Sequence, residues 1–345
     1  MLPRWLWALA GLLCGSAFLY GVAALNVDPG DPGPAPGAAN ATVHELPGDD
    51  AAPWNLLVVS DIQEGFPYLP RILREGAALR PSAVIVLGDV AITHDEEHLA
   101  LPVRMMRRAP VPAPLFAIPG NHDIKGGEGA EAFVRRFGAD RFDFRIGRTR
   151  FLGLNNADGV LTDVALADLD RRLGKAGEDG ERVVLCVHRN LIDLDEHHGY
   201  VEESNRPLLD ILATRRVPLV LGGHWHEFRD VTRGATRFVV APPSGDRSLE
   251  TGQDLVSWFI LRWTGAEFAF DVESFERRNA DELEGHYLRM ALVHLQPAYR
   301  RSPLAGGALL AALAAGTLGA GWLCLPAVAR GAKAGRRAGS RNMEN

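Results

Sequence analysis

Cysteine is scarce in this chain of 345 residues. Only Cys14, Cys186 and Cys324 are present, two of them in terminal apolar segments, so no disulfide framework is indicated. Before Cys14, Gly11-Leu12-Leu13 lacks the small residue that lipoprotein acylation would place next to the cysteine, and Cys14 reads as a membrane-buried thiol. An excess of positive charge is also missing. The 37 basic and 43 acidic residues give −6, and only six basic residues and one acid lie outside residues 26–302, so the middle carries about −11. Such a surface argues against a nucleic-acid partner. No internal repeat is visible.

Charge is absent altogether from two long stretches. Trp5 to Val27 is uncharged for 23 residues after Arg4, long enough to meet the requirement of about 20 apolar residues for a bilayer span. It could equally be a cleaved signal, with Val22-Ala23-Ala24 as its small-residue site. Either way the domain that follows is expected to be exported. Ser302 to Ala329 is a second uncharged stretch of 28 residues, rich in Ala, Gly and Leu. Arg330, Lys333, Arg336, Arg337 and Arg341 follow it, against Arg300 and Arg301 on its other side. That asymmetry predicts a cytoplasmic tail and a globular domain held outside the cytoplasm.

The expected organisation is an anchor or signal peptide over 1–27 and a flexible Pro/Gly-rich linker over 28–53. A globular domain over 54–279, a juxtamembrane connector over 280–302, a transmembrane helix over 303–329 and a basic tail over 330–345 follow. A hydrophobic content of 47% and a middle of this length suit one domain with a full core.

Within that domain apolar runs alternate with helical patterns, as in a parallel-sheet α/β unit. Helices are expected near Pro67 to Leu79 and Asp95 to Arg108, the latter with Thr93 and Glu96 as a capping box, and another is capped by Thr162. The runs Glu227–Thr232, Thr236–Ala241, Leu255–Trp263 and Glu267–Val272 read as antiparallel hairpins closing a second sheet. Five strands end in residues of metal-ligand type: Leu56 to Asp61, Ala83 to Asp89, Pro114 to Asp123, Val183 to His188, and Val217 to Gly223 followed by His224-Trp225-His226. Open α/β folds bind ligands at such strand ends.

Gly-Asp and Asp-x-Gln say little singly, whereas Gly120-Asn121-His122-Asp123 and Gly223-His224-Trp225-His226, each after a strand, are specific. Together the set resembles the calcineurin-like metallophosphoesterases, from about Leu56 to His226 with a β-rich continuation to about Phe275. The resemblance implies a four-layer α/β/β/α sandwich with two divalent ions at the strand ends. It further implies that Asp61, Gln63 and His226 hold one ion, that Asn121, His188 and His224 hold the other, and that Asp89 bridges them. His122 is then the histidine that assists the leaving group, with Asp123 a candidate to orient it.

The chemistry of that set is coherent. Two ions held about 3.5 to 4 Å apart need a shared carboxylate against their repulsion, and they leave the site net positive for an anionic phosphate. A hydroxide shared by the ions is the natural in-line nucleophile. Gln63 departs from the usual His at its position, and its harder amide oxygen favours Mn²⁺ over Zn²⁺ or iron. The same Asp-x-Gln pattern looks like that of the manganese-dependent ADP-ribose/CDP-alcohol diphosphatases.

Two readings of Arg189 stand open, contact with a substrate phosphate and a solvated loop residue. His94, His98, His197 and His198 read as solvated or capping residues, the last two also as a lid. Cys186 reads as a buried thiol and Trp225 as packing.

The function expected is membrane-anchored hydrolysis of a small phosphate ester or anhydride, with a lipid-linked phosphate as one candidate substrate. The alternatives are a nucleotide-type diphosphatase and a non-catalytic, metal-stabilised interaction module, which would have no use for His122.

Overall fold

A computed structural model of the chain describes residues 4–40, 44–159, 161–194, 201–247 and 254–320. The tail over 330–345, the end of the C-terminal apolar stretch beyond 320, and the suggested lid histidines His197 and His198 lie outside the described residues. Two compact units divide the chain: Asp31–Gly285, and Met1–Gly30 together with His286–Asn345.

The larger unit contains two mixed sheets. Its strands are β1 His44–Leu46, β2 Trp54–Val59, β3 Ala83–Leu87, β4 Leu115–Ile118, β5 Phe142–Ile146 and β6 Thr149–Gly153, then β7 Arg182–Cys186, β8 Leu219–Gly222, β9 Arg229–Arg233, β10 Thr236–Val240, β11 Leu255–Trp263 and β12 Phe268–Glu276. One sheet has the order β12-β11-β2-β3-β4 and the other β1-β5-β6-β7-β8-β10-β9. The strands that carry the candidate ligands run parallel within each sheet, β2 to β4 in one and β7 beside β8 in the other.

Those strands are apolar at nearly every position because both of their faces are covered. Leu56, Val58, Ile85, Leu87 and Phe116 of the first sheet meet Phe144, Phe151, Val184, Cys186 and Leu221 of the second in one core. Phe144 joins the sheets by stacking on Phe116 at 4.1 Å and on Phe151 at 4.6 Å. Cys186 is fully buried there, and burial pushes its thiol far up.

Helices cover the outer faces. With α1 Arg4–Leu25 belonging to the smaller unit, the larger one continues with α2 Leu69–Ala77, α3 Glu96–Met106, α4 Ala130–Phe137, α5 Asp163–Glu178, α6 Val201–Ser204 and α7 Arg206–Arg215. Leu169 and Leu173 of α5 and Leu208 and Leu212 of α7 pack on Leu152, Leu185 and Val220 of the second sheet. On the first sheet, α2 backs onto Leu57 so closely that a Cβ on Gly76 would lie 2.6 Å from Leu57 Cδ2. The layers are therefore α/β/β/α.

Three local expectations are corrected. The segment read as a flexible linker over 28–53 is instead docked on the domain from about residue 31. Ala39 N–H donates to Leu115 O at 2.8 Å, Leu115 N–H to Gly37 O at 2.7 Å, and β1 pairs in parallel with β5. The buried Asn40 amide donates to Ala117 O at 2.6 Å and accepts from Ala117 N–H at 2.9 Å. The cause is the free edge of β4, whose backbone groups need partners.

The last hairpin does not close the second sheet. Strand β11 returns to pair antiparallel with β2, while β10 lies parallel to β8 and antiparallel to β9. Finally, α3 is capped by Asp95, not by a Thr93 and Glu96 box. The Asp95 carboxylate accepts from His98 N–H at 2.9 Å, and Thr93 Oγ1 donates to Asp95. The Thr162 cap of α5 is formed, accepting from Ala165 N–H at 3.3 Å.

Candidate metal centre

Among the described residues seven that are not glycine have a positive φ, and five of them, Asp61, Gln63, Asp89, His224 and His226, belong to the constellation read from the sequence. Strained backbone gathers at functional sites when the surrounding structure over-determines it. Here the strain turns each side chain sharply off a strand end toward one point. Glycine makes room beside it. Gly88 has φ +90°, and a Cβ there would lie 2.6 Å from His188 Nδ1, while a Cβ on Gly120 would collide with the Asp89 carboxylate.

The strand ends bring the residues together in two overlapping sets. Asp89, His188 and His224 offer one ligand atom each within 4.8 Å of one another, and so do Asp61, Asp89 and His226. Asn121 joins the first set, with Oδ1 3.2 Å from His188 Nε2. His188 donates from Nδ1 to Leu87 O at 2.8 Å, which leaves Nε2 facing Asp89 Oδ1 at 3.4 Å. His226 Nε2 lies 3.3 Å from Asp61 Oδ1, with Nδ1 3.3 Å from Arg247 O. A ring held by a carbonyl on one nitrogen presents the other as a directed donor.

Gln63 lies against the shared carboxylate. Its Nε2 donates to Asp89 Oδ2 at 3.2 Å, so the amide nitrogen, not the oxygen, is turned to the shared carboxylate. His122 stands at the rim, with Nδ1 2.9 Å from Ile92 O and Nε2 4.0 Å from Asp89 Oδ2. The orienting partner is thus the Ile92 carbonyl and not Asp123. Asp123 is fully buried and accepts from Val90 N–H at 3.1 Å, Ala91 N–H at 2.9 Å and Gly120 N–H at 2.9 Å, tying the turn after β3 to the turn after β4.

Sequence reasoning overlooked Asn156. This buried amide accepts from His188 N–H at 2.8 Å and Arg189 N–H at 3.1 Å and donates to Arg189 O at 2.9 Å, fixing the turn after β7. The only signal for it was the pair Asn155-Asn156 after the β6 pattern. Arg189 donates from Nε to Ala157 O at 2.8 Å. Ser244, in the loop after β10, is also buried, and its Oγ accepts from Ser60 N–H at 3.1 Å.

The electrostatics follow from packing these groups together. Burial opposes ionisation of Asp89, but the charge and hydrogen bond of His188 and the N–H of His122 hold it well below the usual carboxylate range. Burial also pulls His188 down, and the Asp89 and Asp61 charges outweigh it, raising the imidazole to about 9. His224 is taken down to about 4 by burial, then by His188 and Arg189. Asp123 is pushed up to about 7, first by burial and then by Asp89.

The calcineurin-like phosphoesterase profile matches residues 55–228, half of the chain and the stretch that holds every candidate ligand. The chain belongs to the calcineurin-like phosphoesterase family. It is accordingly a metal-dependent phosphoester hydrolase. No curated protein matches it. Among solved structures it is similar to a dimetal phosphatase from Danio rerio, at 12% identity over 63% of this chain and 98% of that one, with a TM-score of 0.47. It is similar also to a purple acid phosphatase from yellow lupin (Lupinus luteus) seeds, at 12% identity over 69% of this chain and 56% of that one, with a TM-score of 0.49.

This family uses divalent metal ions, and the donors present fit them. Asp61 and Asp89 are buried to 0% and 1% exposure, and the groups facing them at the two ligand sets are imidazole and amide donors. Oxygen and imidazole donors around two buried carboxylates, of which Asp89 is shared, suit manganese, iron or zinc.

Proposed function

We propose that this protein is a membrane-anchored phosphoesterase whose centre holds two divalent ions, with Mn²⁺ preferred. Asp61, Gln63 and His226 would hold one ion, Asn121, His188 and His224 the other, and Asp89 both. The observation that carries this reading is the place of Asp89 in both ligand sets. When bound, the ions supply charge to neutralise the phosphate and activate water as the nucleophile.

The chain's own residues do the rest. The Ile92 carbonyl fixes the His122 ring so that Nε2 faces the centre, where it can hand a proton to the departing oxygen. Asp123 keeps the Gly120-Asn121 turn against the Asp89 turn, and Asn156 keeps His188 and Arg189 in register. Arg189, at the same strand end, is assigned to the substrate phosphate.

Membrane anchoring rests on two described helices, Trp5–Leu25 and Pro303–Ala320, both apolar and long enough to cross a bilayer. The basic residues after the second one support a cytoplasmic tail with the catalytic domain on the opposite side.

The test is turnover by the full-length protein in detergent, stripped of metal and then supplied with Mn²⁺, Zn²⁺ or Fe²⁺. A phosphomonoester, a phosphodiester, a nucleoside diphosphate conjugate and a lipid-linked phosphate would be compared. Metal-restored hydrolysis, highest with Mn²⁺, is expected. Metal binding without hydrolysis of any of them would favour an interaction module.

A further inference from the structure

The sequence leaves two fates for the N-terminal apolar segment, a retained span or a signal cut after Val22-Ala23-Ala24. The smaller unit contains α1, the end of α8 Asn279–Arg289, a π-helical turn Met290–Leu295, α9 Gln296–Arg301 and α10 Pro303–Ala320. Ala24, at the cut site, is completely buried. Gln296 is 3% exposed, and its Nε2 donates to Ala24 O at 2.9 Å and Val27 O at 2.7 Å. The last carbonyls of a helix have no partner within it, and here the amide of a residue far along the chain supplies one.

Further up α1, glycines let the two apolar helices touch. A Cβ on Gly11 would lie 2.7 Å from Ala320 Cβ, one on Gly15 3.2 Å from Thr317 Cγ2, and one on Gly21 2.9 Å from Leu310 Cδ2. From the other side, a Cβ on Gly316 would lie 3.2 Å from Cys14 Sγ. Partner numbers fall along α10 as they rise along α1, so the helices run antiparallel. Gly11 and Gly15 are four apart, the spacing that allows close backbone approach between membrane helices, where packing and hydrogen bonds replace the hydrophobic effect as the cause of association. Tyr20 meets Tyr287 edge to face at 5.3 Å.

Cutting after Ala24 would remove this glycine face from α10 and take from the buried Gln296 amide one of its two acceptors, the Ala24 carbonyl. We propose that α1 is a permanent part of the mature protein and pairs with α10 as a two-span membrane hairpin closed by Gln296. The proposal rests on the membrane reading above. It makes the N-terminal segment a structural partner of the C-terminal anchor rather than a disposable export signal.

The experiment uses the full-length chain in its membranes, with Cys324→Ser to leave Cys14 as the only cysteine of the two apolar stretches. The intact mass of the unaltered chain is expected to include Trp5 and everything after it. Gly316→Cys, oxidised with copper–phenanthroline, is expected to lose two hydrogens and yield a peptide pair linked by a disulfide between Cys14 and the introduced thiol. Leu318→Cys, on the exposed side of α10 at 74% exposure, is expected to yield none. A mature chain beginning just after Ala24 but resisting alkaline carbonate would overturn the hairpin and leave anchoring by α10 intact. A retained N-terminus with equal cross-linking of the two variants would also overturn it. Release of the uncut chain by carbonate would instead overturn the membrane reading on which the hairpin rests.

Discussion

His122 faces the centre without belonging to either ligand set. Its replacement by alanine is expected to lower kcat by roughly 100-fold or more, the range of a general acid, while metal content stays unchanged. Steady-state rates with aryl phosphates of graded leaving-group pKa would show the loss growing as the leaving group worsens. Gln63 carries a second prediction. Its amide already donates to Asp89, so Gln63→His should put an imidazole nitrogen there and tighten Zn²⁺ relative to Mn²⁺, as calorimetric titration of the stripped protein with each ion would read.

At this scale the candidate ligands were legible in the sequence, since strand-end Asp, His and Asn side chains announce themselves by type and position. Their supports were not. Asn156 and Ser244 act through hydrogen bonds to backbone groups of distant strands, and nothing in local pattern marks an amide or hydroxyl as buried. Asp123 was visible, yet its true partners are backbone N–H groups of another turn rather than the adjacent histidine.

Among elements, strand positions were readable because two-sided burial makes β2, β3 and β4 continuous apolar runs. Pairing between distant strands was not. The return of β11 to β2 and the docking of residues 37–40 on β4 depend on which edges are left open, a property of the assembled sheet.

The cap of α3 shows the same limit one turn away, and it is testable. Asp95→Ala should cost about 1 kcal/mol, as loss of an N-cap does. Burial opposes ionisation of Asp95, and its hydrogen bonds with His98 and Thr93 more than offset this, holding the carboxyl far below its usual range. A depressed folded value means stability that is present above the unfolded pKa of about 3.9 and lost as pH falls through the folded one. Melting curves should therefore show the alanine variant losing less stability than the parent between about pH 6 and pH 3.

For the whole molecule, the centre joins two sheets that share no strand pairing, since Asp61, Asp89 and Asn121 follow strands of one sheet and His188 and His224 follow strands of the other. Ions held there would clasp the sandwich. Chelation is accordingly expected to lower Tm, with restored ions stabilising the fold by about 2.7 kcal/mol once free metal reaches 100 times its Kd. Differential scanning calorimetry with and without Mn²⁺ would measure the shift.

If Asp89 serves two ions, metal content reads it directly. Equilibrium dialysis against limiting free Mn²⁺, followed by elemental analysis, is predicted to find two ions per chain, and one or none in Asp89→Asn, whose hydrolysis should be lost. A single ion in the unaltered protein, or two retained by Asp89→Asn with activity intact, would contradict it.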